Sequence, residues 1–343
     1  MTRETLFMKA INEGLDQAME RDERVVLLGE DIAGGVNVEH LENNNEDAWG
    51  GVMGITRGLM PKYGRERVID TPISEHGYLS ASVGMALTGL RPVPELMFND
   101  FIGFCFDALL GQASKMRYMF GGKAKVPMVV RTMHGAGASA AAQHSGSYYG
   151  LFGSIPGIKA VVPATPYDAK GLLLASIEDD NVVIFSEDKT LYGLKGEVPE
   201  EYYTVPIGKA AVRREGKDLT IVTIGKMLYV AYEVADRLAK DNISVEVIDL
   251  RTVAPWDEET VLNSVKKTGR LVIVDEANPH NNTATDIASV VSDKAFDYLD
   301  GPVKCVCAPN TPVPFATNLE QAYIPDADKV LKVADELIQD LKG

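Results

Sequence analysis

The sequence predicts an α/β protein of two domains, each a mainly parallel sheet covered by helices. Short, continuously apolar runs recur along the chain, separated by helical stretches and closed by Gly, Pro or polar residues. A strand that is apolar throughout is buried on both faces, as in a parallel sheet between helical layers. The chain has 343 residues, the length of two ordinary domains.

The elements follow in order. Phe7, Ala10, Ile11, Gly14, Leu15 and Ala18 recur at helical spacing, so residues 3–20 read as an amphipathic helix. Val25–Leu28 reads as a strand ending at Gly29-Glu30-Asp31. Further strands are expected at Arg67–Asp70, Pro92–Met97, Val126–Thr132, Ile158–Pro163 and Val182–Ser186, with a small-residue helix from Leu79 to Leu90. The Asn-rich stretch Glu39–Asp47 reads as an exposed loop. Residues 187–206 hold Gly193, Gly196, Pro199 and Pro206 and read as a connection. Beyond it a second α/β unit has strands at Leu219–Ile224, Val245–Leu250, Leu271–Asp275 and Val303–Cys307. Its helices are expected over 226–240, 257–268, 283–298 and 326–342. The expected division is a first domain over 1–190, a linker over 191–206 and a second domain over 207–343.

Composition bounds the function. No apolar run is long enough to span a bilayer. The start, Met-Thr-Arg-Glu-Thr, lacks the basic-then-apolar pattern of a signal peptide. Cys105, Cys305 and Cys307 lie in apolar stretches and read as core residues, so a reducing cytoplasm is expected. The net charge of −15 repels phosphate backbones, so no nucleic-acid partner is expected, and neither is a membrane. The acidity suits solubility or steering toward a basic partner.

Ligands of a parallel sheet bind beyond the carboxyl ends of its strands. Glu30 and Asp31, Glu75, Met97 through Phe101, and the loop His134–His144 fall at such ends. Glu75 is held between a short strand and a helix, in Asp70-Thr-Pro-Ile-Ser-Glu-His-Gly77. The loop Gly135-Ala-Gly-Ala-Ser-Ala mimics a dinucleotide fingerprint. No acidic residue lies about 20 positions on, however, and no good first helix follows. Among the histidines, His40 and His280 read as structural. His76 adjoins Glu75 and His134 begins the loop. His144 ends that loop among Gly and Ala, so it can be presented to a ligand, and imidazoles titrate where proton transfer at neutral pH needs them. A nucleophilic-serine elbow and zinc-ligand spacings are both missing.

Several stretches together resemble a known family along nearly the whole chain: Leu28-Gly-Glu-Asp31, Asp70-Thr-Pro-Ile-Ser-Glu75, Gly89-Leu-Arg-Pro92, Ala141-Ala-Gln-His-Ser145, Pro156-Gly-Ile-Lys159, Asp168-Ala-Lys-Gly171 and Ile248-Asp-Leu-Arg251. The chain resembles the β subunit of the thiamine-diphosphate-dependent decarboxylase component of 2-oxo acid dehydrogenase complexes. Glu46-Asp-Ala-Trp-Gly-Gly51, Phe120-Gly-Gly-Lys123, Arg131-Thr-Met133, Asp275-Glu-Ala-Asn-Pro279 and Ala308-Pro-Asn-Thr-Pro-Val-Pro-Phe315 look most like members that act on acetoin.

The resemblance implies a thiamine-diphosphate-binding pyrimidine-type domain followed by a transketolase-type carboxyl-terminal domain. It implies that Glu75 hydrogen-bonds N1′ of the coenzyme's aminopyrimidine and favours its imino tautomer, a charge-assisted bond worth about 1.5–3 kcal/mol. Glu75 is also a residue that a helix start favours. Met97 and Phe101 match positions that pack on the pyrimidine. Glu30 matches an acidic network near the coenzyme, and His144 a loop histidine that assists transfer of the two-carbon unit. Phe104 stands where some pyruvate-type members have a polar residue. Met128, Ser176, Asp179 and Asn181 match a monovalent-cation site, for K+, that acts mostly through backbone carbonyls.

Members of the wider enzyme class hold Mg2+ and the diphosphate with Gly-Asp-Gly and a later Asn-Asn. This sequence has no Gly-Asp-Gly, and no Asn-Asn follows its one Asp-Gly, Asp300-Gly301. The resemblance therefore implies a separate α subunit in an α2β2 heterotetramer that supplies the Mg2+ half of the site. The implied reaction cleaves acetoin to acetaldehyde and passes the acetyl unit to lipoyl groups of an acyltransferase core. The alternatives are a pyruvate or branched-chain 2-oxo acid dehydrogenase β subunit, or a non-catalytic scaffold subunit.

Overall fold

The structure, a computed structural model, describes residues 2–34 and 49–339. The stretch Glu39–Asp47 and His40 lie outside the described residues. The chain divides into two compact units, one of residues 1–134 and 154–207, the other of residues 135–153 and 208–343.

The first unit carries β1 (Thr2–Leu6), β2 (Val25–Gly29), β3 (Val68–Asp70), β4 (Arg91–Phe98), β5 (Val129–His134), β6 (Lys159–Val161), β7 (Val183–Asp188) and β8 (Lys195–Pro199). Strands β6-β7-β5-β4-β2-β3 pair in that order, and every pairing is parallel. All the carboxyl ends therefore lie on one edge. Strands β2 and β7 are buried along their whole length, as their continuous apolar sequence requires.

The first helix starts later than its periodicity suggests. It runs Phe7–Arg21 and buries Phe7, Ala10, Ile11, Gly14, Leu15, Ala18 and Met19. Residues Thr2–Leu6 instead form β1, antiparallel to β8 with Thr2 beside Pro199 and Leu6 beside Lys195. A partner strand almost 200 positions away overrides local helical preference there, and it lies inside the stretch that turn residues mark as a connection.

The helix Phe7–Arg21 packs on the helix Pro166–Glu178. The latter is capped by Thr165, whose hydroxyl accepts from the Asp168 amide, with Pro166 in the first turn. Between them Lys170 is fully buried. Its ammonium pairs with Glu13 at 2.8 Å and donates to the carbonyls of Pro199 at 2.7 Å and Glu201 at 2.9 Å. A buried charge needs such partners, because leaving water without them costs several kcal/mol.

The second unit carries β9 (Ala211–Arg214), β10 (Leu219–Thr223), β11 (Val245–Asp249), β12 (Thr252–Ala254), β13 (Leu271–Asp275) and β14 (Lys304–Cys307). Its sheet runs β14-β13-β10-β11-β9. The first four are parallel and β9 is antiparallel to β11. Helices Met227–Leu238, Glu258–Thr268, Thr283–Lys294 and Ala327–Leu337 fall where the periodicity places them, each ending earlier than or at its expected limit. Two caps explain the starts: Asp257 accepts from Thr260, and Asn282 and Thr285 form a reciprocal capping box. Cys305 and Cys307 sit on β14, and all three cysteines are unbridged. Among the described residues no helix is long and apolar enough to cross a membrane.

Candidate active site

The carboxyl edge of the first unit's sheet gathers the acidic residues. Glu30 directly follows β2. Glu75 is the first residue of the helix Glu75–Leu87, which therefore begins before the expected Leu79. A carboxylate at that position faces the positive end of the helix dipole. Glu30 is only 9% exposed, and its Oε1 accepts no hydrogen bond among the described residues. Burial, and then the charge of Glu75, push the Glu30 carboxyl up to about 7. Cys105, buried beneath the same edge, is pushed up to about 12 by burial and then by Glu75. Glu30 thus feels a second carboxylate from a poorly hydrated position, an arrangement associated with proton chemistry.

Strand β4 brings an aromatic floor. Its pairing with β5 slips between Leu96 and Phe98, so Met97 sits at an irregularity of the strand, a place where side chains are re-aimed. The chain then turns into a short 3-10 stretch, Asn99–Cys105, which packs against the Glu75 helix. Phe101 meets Phe98 edge-on, with ring centroids 5.7 Å apart, and meets Phe104 at 6.4 Å. Phe104 is 69% exposed.

Strands β4, β5 and β7 also carry a buried ionic cluster. Arg131 on β5 forks onto Glu187 with Nε to Oε1 at 2.7 Å and Nη2 to Oε2 at 3.0 Å, and reaches Glu95 at 2.8 Å. Tyr192 donates to Glu187 at 2.8 Å. The three strands β4, β5 and β7 are thereby locked across the sheet.

The sequence matches the transketolase pyrimidine binding domain over residues 4–195 and the transketolase C-terminal domain over residues 208–330. It is 56% identical to the β subunit of acetoin:2,6-dichlorophenolindophenol oxidoreductase of Bacillus subtilis, over 98% of each chain. It is 41% identical to the pyruvate dehydrogenase E1 component β subunit of the same organism, over 97% of this chain and 98% of that one. The chain belongs to the β-subunit family of the thiamine-diphosphate-dependent decarboxylases of 2-oxo acid dehydrogenase complexes. A second relative, the corresponding acetoin:2,6-dichlorophenolindophenol oxidoreductase subunit of Cupriavidus necator, is 53% identical over 97% of each chain. A solved split-gene transketolase, an inactive β4 tetramer, shares the fold with a TM-score of 0.74 at 21% identity, over 98% of this chain and 99% of that one.

As a β subunit of this family, the chain offers a fit for the pyrimidine end of the coenzyme. The fit rests on a buried carboxylate with an unpartnered oxygen, a second carboxylate at a helix start and aromatic rings beside them. Four of the residues expected at the site, Glu30, Glu75, Met97 and Phe101, share this edge. His144 belongs to the second unit. It closes a 3-10 turn, Ala142–His144, in a loop whose backbone takes positive φ at Ser139 and Ala141. Glu276 accepts from the Ala136 amide at 2.5 Å, and Glu320 accepts from the Gly137 amide at 2.7 Å and the Ser139 amide at 2.9 Å. No helix follows the glycines as a dinucleotide site requires. His134 is the buried last residue of β5 rather than the start of the loop. His76 is exposed.

Met128, Ser176, Asp179 and Asn181 meet at the opposite, amino edge of the same sheet, around the starts of β5 and β7. The Met128 carbonyl accepts from Val183, and the Asp179 carbonyl from Arg91 at 3.1 Å. Lys159 pairs with the Asp179 carboxylate. Protein cations thus already serve this corner, and three of the carbonyls, those of Met128, Ser176 and Asp179, are engaged.

Asn99 lies in the stretch Met97–Phe101 but was not singled out by sequence; it is fully buried directly after β4, with neither amide atom bonded among the described residues. Sequence reasoning missed Tyr78, whose only signal is its place three residues after Glu75.

Proposed function

We propose that this chain is the β half of an acetoin dehydrogenase, working with an α chain on thiamine diphosphate. The observation that carries this is the pair Glu75 and Glu30, set at the carboxyl edge of a pyrimidine-type domain in a chain without the diphosphate motif. The names of the relatives at 56% and 53% identity point to acetoin; those of pyruvate-type relatives go with lower identity.

When bound, the coenzyme supplies a nucleophilic carbon that adds to a carbonyl and stabilises the charge left as the neighbouring C–C bond breaks. Glu75 would hold a proton at N1′ of the pyrimidine and favour the tautomer that the chemistry needs. Glu30, buried and with its carboxyl pushed up to about 7, would lie in an acidic network beside that carboxyl. Met97 and Phe101 would hold the ring by soft, flat contact. His144 would donate a proton or steady charge during transfer of the acetyl unit to a lipoyl group on an acyltransferase core. An α chain in an α2β2 assembly would hold Mg2+ and the diphosphate. The exposed apolar side chains Ile73 and Phe104 beside the acidic edge support a covering partner. A K+ ion at the amino edge would have to share its carbonyls with Arg91.

The test is Glu75→Gln in the complex reconstituted with its α chain, assayed by dye reduction with acetoin. A loss of roughly 10²-fold or more is expected. Near-normal turnover would refute the activation role and favour a scaffold subunit. Wild-type turnover of pyruvate or a branched-chain 2-oxo acid, but not acetoin, would sink the substrate assignment.

A further inference from the structure

Tyr78 ties the start of the Glu75 helix to the strand pair that leads to Glu30. It follows Glu75 by three residues, so it stands almost one helical turn along. The side chain is 5% exposed, and its hydroxyl donates to the main-chain carbonyl of Glu95 at 3.1 Å. Glu95 lies on β4 directly beside Gly29 of β2, and Glu30 is the next residue.

The acceptor cannot drift. The Glu95 side chain is held by Arg131, which is itself forked onto Glu187. A Cβ on Gly29 would stand 3.2 Å from the same carbonyl oxygen, so the two strands are already in close contact there. The helix start, by contrast, is weakly tied. Its cap residue, Ser74, makes no side-chain capping bond. The buried Glu30 carboxyl feels the charge of the half-buried Glu75, and a helix end without a cap is the part free to move. The Tyr78 phenol is pushed far above its usual range by burial and by the charges of Glu30 and Glu75, so it remains a donor.

We propose that Tyr78 is a positioning residue, whose hydrogen bond to the Glu95 carbonyl fixes where the Glu75 carboxyl stands relative to Glu30. This rests on the reading of Glu75 as the carboxyl that meets the pyrimidine. The hydroxyl acts through the helix and touches no reacting atom.

The experiment uses the assembled enzyme with Tyr78→Phe, which keeps the ring and removes one oxygen. Thiamine diphosphate with Mg2+ is titrated into the apo-complex by calorimetry, and kcat and KM are measured with acetoin. Coenzyme affinity and kcat should each fall roughly 3- to 10-fold, the worth of one hydrogen bond, with KM for acetoin unchanged. Placed on Glu75→Gln, the same substitution should weaken coenzyme binding no further. Gly29→Ala presses on the same acceptor while keeping the hydroxyl, and should lower coenzyme affinity in the same direction even if Tyr78→Phe does not fold. Wild-type affinity and kcat in Tyr78→Phe, or an equal loss with and without Glu75, would overturn the inference. If Glu75→Gln is inactive and Tyr78→Phe is normal, only this inference falls. If Glu75→Gln is fully active, the reading of Glu75 falls first.

Discussion

Buried Glu30 feels the charge of half-buried Glu75 at the same sheet edge, and Glu30 has an oxygen that accepts no hydrogen bond among the described residues. The first consequence concerns stability. An unfolded glutamate titrates at 4.5, whereas Glu30 in the fold is pushed up to about 7 by burial and then by Glu75. The folded chain therefore keeps a proton that the unfolded chain releases. Stability tied to this group is complete below about pH 4.5 and is lost as pH rises through about 7, a cost of about 2–3 kcal/mol by pH 8. Glu30→Gln removes the cost. The variant should match wild type near pH 4.5 and be about 2 kcal/mol more stable at pH 8, by urea unfolding of the apo-protein. Equal stability at both pH values would mean that Glu30 ionises freely.

Arg131 balances two buried carboxylates, and removing it leaves both uncompensated. Arg131→Met keeps the volume and loses the charge. A loss of about 3–5 kcal/mol is expected, read from urea unfolding. Adding Glu187→Gln should restore part of it, because one of the stranded charges is then gone. A loss below about 1 kcal/mol, the size of an exposed pair, would show that water enters the cluster.

The legible and illegible parts of the fold divide along physical lines. Strand Leu271–Asp275 was readable to the residue, because a fully buried strand carries its own apolar signal. Strand β1 was not, since its partner β8 is remote and both are largely polar. Glu75 and Glu30 were legible through their motifs. Glu75 was also readable as a residue that suits a helix start, but the first turn was not, so the helix was expected only from Leu79: Glu-His-Gly has no helical periodicity. The amino-edge corner was named through family resemblance, but only the folded chain shows Arg91 and Lys159 already serving it. Tyr78, Asn99 and the Arg131 cluster depend on contacts between strands, and spacing along a sequence does not encode these.

Glu320 pins the loop that carries His144. Its carboxylate accepts from the Gly137 and Ser139 amides at 2.7 and 2.9 Å and from the Ser139 hydroxyl at 3.3 Å, and it is almost fully buried. The loop needs such a tie, because Ser139 and Ala141 both hold positive φ, which non-glycine residues adopt at a cost. Hydrogen bonds to a charged acceptor contribute about 1.5–3 kcal/mol each. Glu320→Ala should therefore let the loop open without unfolding the sheet. Amide exchange at Gly137 and Ser139 should speed up by roughly 10²-fold, while exchange in β10 and β13 stays unchanged. In the assembled enzyme kcat should fall, because His144 loses its fixed place. Wild-type exchange at both amides would show that the loop holds its strained turns without the carboxylate.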